Sequence, residues 1–199
     1  AKTINCFHPT ESGEACNECE SCRAFNEQRS YNIIELDAAS NNSVDDIRTL
    51  IDQVRIPPQI GKYKVFIIDE VHMLSTPAFN ALLKILEEPP EHLMFILATT
   101  ELQKVPATIL SRCQRHSFKR LDSSVIAEYL EYIASQEHMK LTHEAAEIIA
   151  RLADGGVRDA LTLLDQCSAS ENIDVEAVYS AMGLAGNLRI AELLDNIIG

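Results

Sequence analysis

The sequence predicts a parallel α/β sheet domain followed by a small all-helical domain. Three observations predict it: unalternated apolar runs at Ile33–Asp37, Val65–Asp69 and Met94–Thr99, helical periodicity between those runs, and the loss of strand signals after Lys119. Strands buried on both faces read as continuous apolar runs, and strands that alternate with helices pair in parallel, so the sheet is expected to be covered on both faces.

Ile33-Ile-Glu-Leu-Asp37 reads as the first strand, and Ser40-Asn-Asn-Ser43 as a turn and helix cap. Val44, Ile47, Leu50, Ile51 and Val54 then recur at helical spacing until Pro57-Pro58 stops the helix. After the second strand, Ser75 caps a helix with Phe79, Leu82, Leu83 and Leu86 on one face, with Pro77 in its first turn and Pro89-Pro90 at its end. The third strand follows, then a short helix at Ala107 to Ser111, then a weaker strand signal at Arg115-His-Ser-Phe118. Beyond it, Val125-Ile126-Tyr129-Leu130-Ile133, Ala145-Ile148-Ile149-Leu152 and Ala160-Leu161-Leu164-Cys167 each mark one apolar helix face. Gly155-Gly156 separates two of these helices, and Leu188 to Ile198 begins a further amphipathic helix.

Composition narrows the function classes. With 199 residues and 46% apolar composition the chain can bury one substantial core or two modest ones. Its 17 basic and 30 acidic residues give a net charge of -13, which argues against coating a phosphate backbone by charge alone. Nucleic-acid contact is therefore expected to be local or lent by partner subunits. The apolar runs, such as Met94 to Ala98, fall far short of the roughly 20 residues that a membrane helix needs, and Ala1-Lys-Thr-Ile4 begins no signal peptide, so a cytoplasmic location is expected.

Four of the six cysteines fall in Cys6-x9-Cys16-x2-Cys19-x2-Cys22, whereas Cys113 and Cys167 are isolated. In a reducing compartment such a cluster reads as a metal site. Four thiolates are what a closed tetrahedral zinc site needs. An iron-sulfur cluster is the chemical rival, although the C-x2-C-x2-C-x3-C-P run is not reproduced. His8 is an alternative ligand to Cys6, and free surface thiols are the plain alternative to a metal.

In Lys64-Val-Phe-Ile-Ile-Asp-Glu-Val-His72 an apolar strand delivers an acidic pair. A strand end can hold Asp69 against a magnesium ion and Glu70 against the water that attacks a phosphate. The plain alternative is a strand that ends in two solvated acids. No G-x-x-x-x-G-K-[ST] loop occurs in the chain, so no phosphate-binding residue can be assigned. Arg112, at the end of a short helix, reads by itself as a partner for the last carbonyls. Arg158 opens a helix, where a cation is unfavourable; this points to a bound anion or to an ion pair with Asp159 or Asp154. Thr99 and Thr100 alone read as hydroxyls at a strand end.

Taken in order, these residues resemble the gamma/tau family of clamp-loader ATPases of bacterial DNA polymerase III, which are AAA+ proteins. The motifs that carry the resemblance are the four-cysteine knuckle, Leu36-Asp-Ala-Ala-Ser40, Val44-Asp-Asp-Ile-Arg48, Ile68-Asp-Glu-Val-His-Met-Leu74, Phe79-Asn-Ala-Leu-Leu-Lys84, Leu86-Glu-Glu-Pro-Pro-Glu-His92, Leu97-Ala-Thr-Thr100, Ile109-Leu-Ser-Arg-Cys113 and Arg158-Asp-Ala-Leu161. They cover nearly the whole chain.

The resemblance implies an AAA+ parallel-sheet domain with a zinc knuckle over residues 1–119, an all-α lid over 120–182, and the start of a helical collar from 183. It implies ATP-driven loading of a sliding clamp onto primed DNA, within the polymerase holoenzyme and alongside delta, delta-prime and further gamma/tau copies. Asp69 and Glu70 would be the Walker B acids, Thr100 the sensor-1 hydroxyl, Arg158 the sensor-2 cation and Arg112 an arginine finger acting in trans. The first strand and phosphate loop are expected upstream of Ala1, which would leave these 199 residues alone inactive and displace Arg115–Phe118 from the sheet. Within the family, delta-prime also carries a zinc knuckle and Ser-Arg-Cys but does not hydrolyse ATP, and the intact Asp69-Glu70 pair argues against it. A DExH helicase or a zinc-bearing interaction module are readings from other classes; the helical lid and Ser111-Arg-Cys113 do not fit a helicase.

Overall fold

The computed structural model describes residues 1–58 and 60–183, which form two units, one ending at His116 and one beginning at Ser117. In the first, β1 (Ile33–Asp37), β2 (Lys64–Asp69) and β3 (Leu93–Leu97) form one parallel sheet in that order. The register pairs Asp37 with Asp69 and Ile68 with Leu97, so the acidic ends of β1 and β2 lie side by side.

Two helices pack against this sheet. Ser43 opens α2 (Val44–Val54) with a capping box: its hydroxyl accepts the Asp46 N–H, and the Asp46 carboxylate accepts the Ser43 N–H. Ser75 caps α3 (Thr76–Glu87), and Pro77 sits in its first turn, where an unbonded nitrogen costs little. Ile47, Leu50 and Val54 of α2, Phe79 and Leu82 of α3, and Phe66 and Ile68 of β2 make one core, with Ile109 of α4 (Ala107–Leu110) joining it. Burying side chains of this size stabilises the fold by about 1.5–3 kcal/mol each.

The other sheet face is covered only in part, which qualifies the expectation of cover on both sides: Val65 is fully buried, but Ile33, Ile67 and Met94 are only partly buried among the described residues, and Ile96 is 38% exposed. Arg115–Phe118 is not a strand of the sheet, and Phe118 is exposed, which corrects the weak strand signal there and bears out the expected displacement of this segment from a three-stranded sheet. Four residues with only one large apolar side chain offer little to bury. The third strand also ends earlier than expected, because Thr99 and Thr100 turn to bond with His72 and Glu70.

Ahead of the sheet, α1 (Glu20–Asn26) follows the cysteine cluster. Buried Asn5 ties this region to the approach to β2: its Oδ1 accepts the N–H groups of Lys62 and Tyr63, and its amide donates to the Tyr63 carbonyl at 2.9 Å.

The second unit is built on α5 (Ser123–Gln136), α6 (His143–Leu152), α7 (Val157–Cys167) and α8 (Val175–Ala181), with a two-residue parallel pair, β4 (Lys140–Leu141) and β5 (Asn172–Ile173). Ile126, Leu130, Ile149, Ala160, Leu164, Ile173 and Val178 fill its core. Gly155 has φ +84°, and a Cβ there would stand 2.5 Å from Cβ of Arg120, so only glycine fits between α6 and α7. The expected helix from Leu188 and the collar domain from residue 183 onward lie almost wholly outside the described residues.

Candidate active site and thiol cluster

The sheet delivers Asp69 and Glu70 at the carboxyl end of β2, the edge at which open α/β sheets bind ligands. Neighbouring Asp37 is engaged by its own turn, accepting the Ala39 N–H at 2.8 Å and the Ser40 hydroxyl at 2.9 Å. Asp69 differs. Its Oδ1 accepts the Glu70 N–H at 2.9 Å, while Oδ2 has no protein partner among the described residues. An outward carboxylate oxygen of this kind suits a hard divalent cation.

Glu70 adopts a left-handed conformation with φ 47°, uncommon for a residue with a Cβ, and this turns the chain from β2 into a 3-10 turn at Val71–Met73. The turn brings the Glu70 carboxylate to the segment after β3. There Thr100 donates its hydroxyl to Oε2 at 3.0 Å and its backbone N–H to the same atom at 3.3 Å. Glu70 Oε1 has no hydrogen-bond partner among the described residues. One oxygen is anchored and the other is available to take a proton.

A further residue stands in this cluster that spacing did not single out. His72, with a side chain only 6% exposed, places Nδ1 2.9 Å from Thr99 Oγ1 and 3.2 Å from Glu70 Oε2, and Nε2 3.6 Å from Glu101 Oε1. Lys104 bonds Glu101 at 2.6 Å and holds its carboxyl below the usual carboxylate range.

Arg112 sits just beyond α4, where its guanidinium donates to the Thr108 carbonyl and to Glu87 Oε1, both at 2.9 Å. The guanidinium is thus held within its own chain by the end of α3. Arg158 is exposed in the first turn of α7 and makes no ion pair among the described residues; Asp154, one of its two candidate partners, pairs with Arg120 instead. Arg158 belongs to the second unit.

The thiols of Cys6, Cys16, Cys19 and Cys22 converge, with all four sulfur atoms within 4.8 Å of one another. The Cys16 and Cys22 sulfurs are 3.9 Å apart. A zinc tetrahedron with Zn–S bonds of about 2.3 Å has edges of about 3.8 Å, so the spacing fits. Backbone N–H groups of Cys16 and Cys19 donate to the sulfurs of Cys6 and Cys16, each at 3.3 Å. The Phe7 backbone beside Cys19 holds its thiol down to about 6, and burial pushes Cys22 up to about 12. His8 is exposed and outside this group, which favours Cys6 as the fourth ligand.

Comparison with known proteins shows the family to which the chain belongs. Residues 1–122 match the family described as DNA polymerase III, delta subunit, and residues 125–172 match the ATPase lid domain of the DNA polymerase III clamp loader subunit. The chain is 49% identical over 199 residues to DNA polymerase III subunit tau of Bacillus subtilis, covering 99% of this chain and 35% of that protein. It is 44% identical over 203 residues to the tau subunit of Escherichia coli, covering 100% of this chain and 31% of that protein. The chain thus spans about a third of the length of these relatives. The Thermotoga maritima RuvB Holliday junction branch migration motor has a similar fold, with a TM-score of 0.64 at 18% identity over 82% of this chain and 56% of that one. At that identity the likeness concerns the fold alone.

Proposed function

Because the chain belongs to the clamp-loader subunit family of bacterial DNA polymerase III, we propose that the full-length protein is a gamma/tau subunit that hydrolyses ATP to load a sliding clamp onto primed DNA. The observation that carries this reading is the meeting of Asp69, Glu70 and Thr100 at the carboxyl end of the parallel sheet. Each residue has one task. Asp69 Oδ2 would hold Mg²⁺ directly or through water, where the ion would supply positive charge against the phosphates. Glu70 Oε1 takes a proton from the water that attacks the γ-phosphate, and the γ-phosphate parts from ADP. Thr100 holds Glu70 by its other oxygen and, in its sensor role, stands near that phosphate.

Arg112 acts in trans on the nucleotide of a neighbouring subunit, while Arg158 contacts the nucleotide of its own. Residues 1–119 serve as the AAA+ domain, 120–182 as the lid and 183 onward as the collar. Cys6, Cys16, Cys19 and Cys22 hold a structural Zn²⁺, since a closed four-thiolate set leaves no open position for chemistry. The partners are delta, delta-prime and further gamma/tau copies, the sliding clamp, and primed DNA through the assembled ring. The net charge of -13 on these 199 residues favours DNA contact that is local or lent by partner subunits. The expected location is cytoplasmic; no described helix is long and apolar enough to cross a membrane.

The match of residues 1–122 to the delta-subunit family keeps a subunit that does not hydrolyse ATP as the second reading. ATPase assay of the full-length protein, assembled with its partner subunits, separates the two. The gamma/tau reading expects hydrolysis stimulated by clamp and primed DNA, and the second expects none from this subunit.

A further inference from the structure

We propose that His72 is a positioning residue that fixes the Glu70 carboxylate for catalysis. This rests on the reading of Glu70 as the base. Three groups converge on Glu70 Oε2: the Thr100 hydroxyl at 3.0 Å, the Thr100 N–H at 3.3 Å and His72 Nδ1 at 3.2 Å. Thr100 approaches from the segment after β3, whereas His72 approaches from the 3-10 turn that follows Glu70 itself. The carboxylate oxygen is therefore bonded by Thr100 and packed against His72, with Oε1 left without a partner among the described residues.

The ring itself is well fixed. Its side chain is 6% exposed, and both nitrogens face polar protein atoms. Nδ1 also lies 2.9 Å from Thr99 Oγ1, which accepts the Glu101 N–H at 3.0 Å. Nε2 faces Glu101, which Lys104 holds in turn at 2.6 Å. A buried imidazole whose Nδ1 bonds Thr99 and lies against Glu70 Oε2 fixes the turn after β2 against the segment after β3, and so the acid that Thr100 bonds. The imidazole touches neither water nor phosphate in this role; it acts only through Glu70.

The test uses the full-length subunit assembled with its partner subunits. His72→Ala is expected to lower kcat by about 10- to 100-fold, a share of the roughly 10²–10⁴ that a positioned base contributes, with little change in ATP affinity. His72→Asn places an amide nitrogen near Nδ1 and is expected to recover most of the loss. His72→Gln supplies a donor at the Nε2 position and is not. On a Glu70→Gln background, His72→Ala should cost nothing more, because it acts through the acid already removed. Unchanged or faster hydrolysis in His72→Ala would overturn the proposal, the faster case making the ring a restraint. Failure of His72→Asn to recover activity, or loss of ATP affinity in step with kcat, would reduce His72 to a packing role. If Glu70→Gln itself hydrolyses ATP normally, the reading of Glu70 falls, and this proposal with it.

Discussion

Thr100 gives Glu70 two hydrogen bonds on one oxygen, a hydroxyl at 3.0 Å and a backbone N–H at 3.3 Å, across 30 residues of sequence. The backbone bond is kept by any residue other than proline, so the hydroxyl can be tested alone. A hydrogen bond to a charged group contributes about 1.5–3 kcal/mol, so Thr100→Ala should slow hydrolysis by roughly 10- to 100-fold, and Thr100→Ser should restore it. Steady-state ATPase of the full-length assembly, with ATP affinity measured in parallel, checks this.

Arg112 and Glu87 form an exposed pair at 2.9 Å, and the two residues should differ sharply on substitution. Arg112→Ala is expected to leave ATP binding nearly unchanged while costing about 10³–10⁵ in hydrolysis, the range for arginine fingers. Glu87→Ala removes only an exposed salt bridge, worth about 0–1 kcal/mol, and should keep most of the activity. Mixed assemblies that place Arg112→Ala beside an active or inactive neighbour measure whether the finger acts in trans.

The thiol cluster predicts about one zinc per chain by elemental analysis, with no visible absorbance of the iron-sulfur kind. Because ligation is coupled to folding, chelation or Cys22→Ser should loosen residues before Ile33 more than the sheet. Hydrogen exchange by segment gives the readout. Iron in place of zinc, or protection lost evenly across the sheet, contradicts it.

The helical unit carries a pH-dependent contact. His143 Nδ1 lies 2.6 Å from Glu131 Oε1, and this hydrogen bond raises the imidazole pKa above its usual value. A raised pKa stabilises the folded state most fully below the unfolded value of about 6.5, and the contribution is lost as pH rises through the folded value. Glu131→Gln should therefore lower the melting temperature of this unit at about pH 6 and leave it unchanged at about pH 9. An equal effect at both values would show that the contact is not a charged one.

The strands and longer helices were legible because their signals are local and repeated. Ile47, Leu50 and Val54 recur every three or four residues, and Ser43 and Ser75 announce the helices they cap. The elements that sequence reading missed are short. Glu20–Asn26 and Val175–Ala181 span seven residues each, and the β4–β5 pair has two residues per strand, too few for periodicity to emerge. The acidic pair and Thr100 carried motif signals, but the bond between them depends on the left-handed turn at Glu70, which no residue type there announces. His72 was visible only as part of a motif string. Its burial against Thr99 and Glu101 comes from strand register, a property of the folded sheet. The Arg112–Glu87 contact was illegible for the same reason: 25 residues separate the partners, and only the packing of α4 near the end of α3 brings them together.

The central claim is that the acids at the end of β2 serve ATP hydrolysis, and Glu70→Gln tests it most directly. In the full-length subunit, assembled with its partners and supplied with clamp and primed DNA, this substitution should keep ATP binding and reduce hydrolysis by at least about 10²-fold, the contribution of a positioned base. Hydrolysis at the wild-type rate, with ATP bound equally well, would contradict the account.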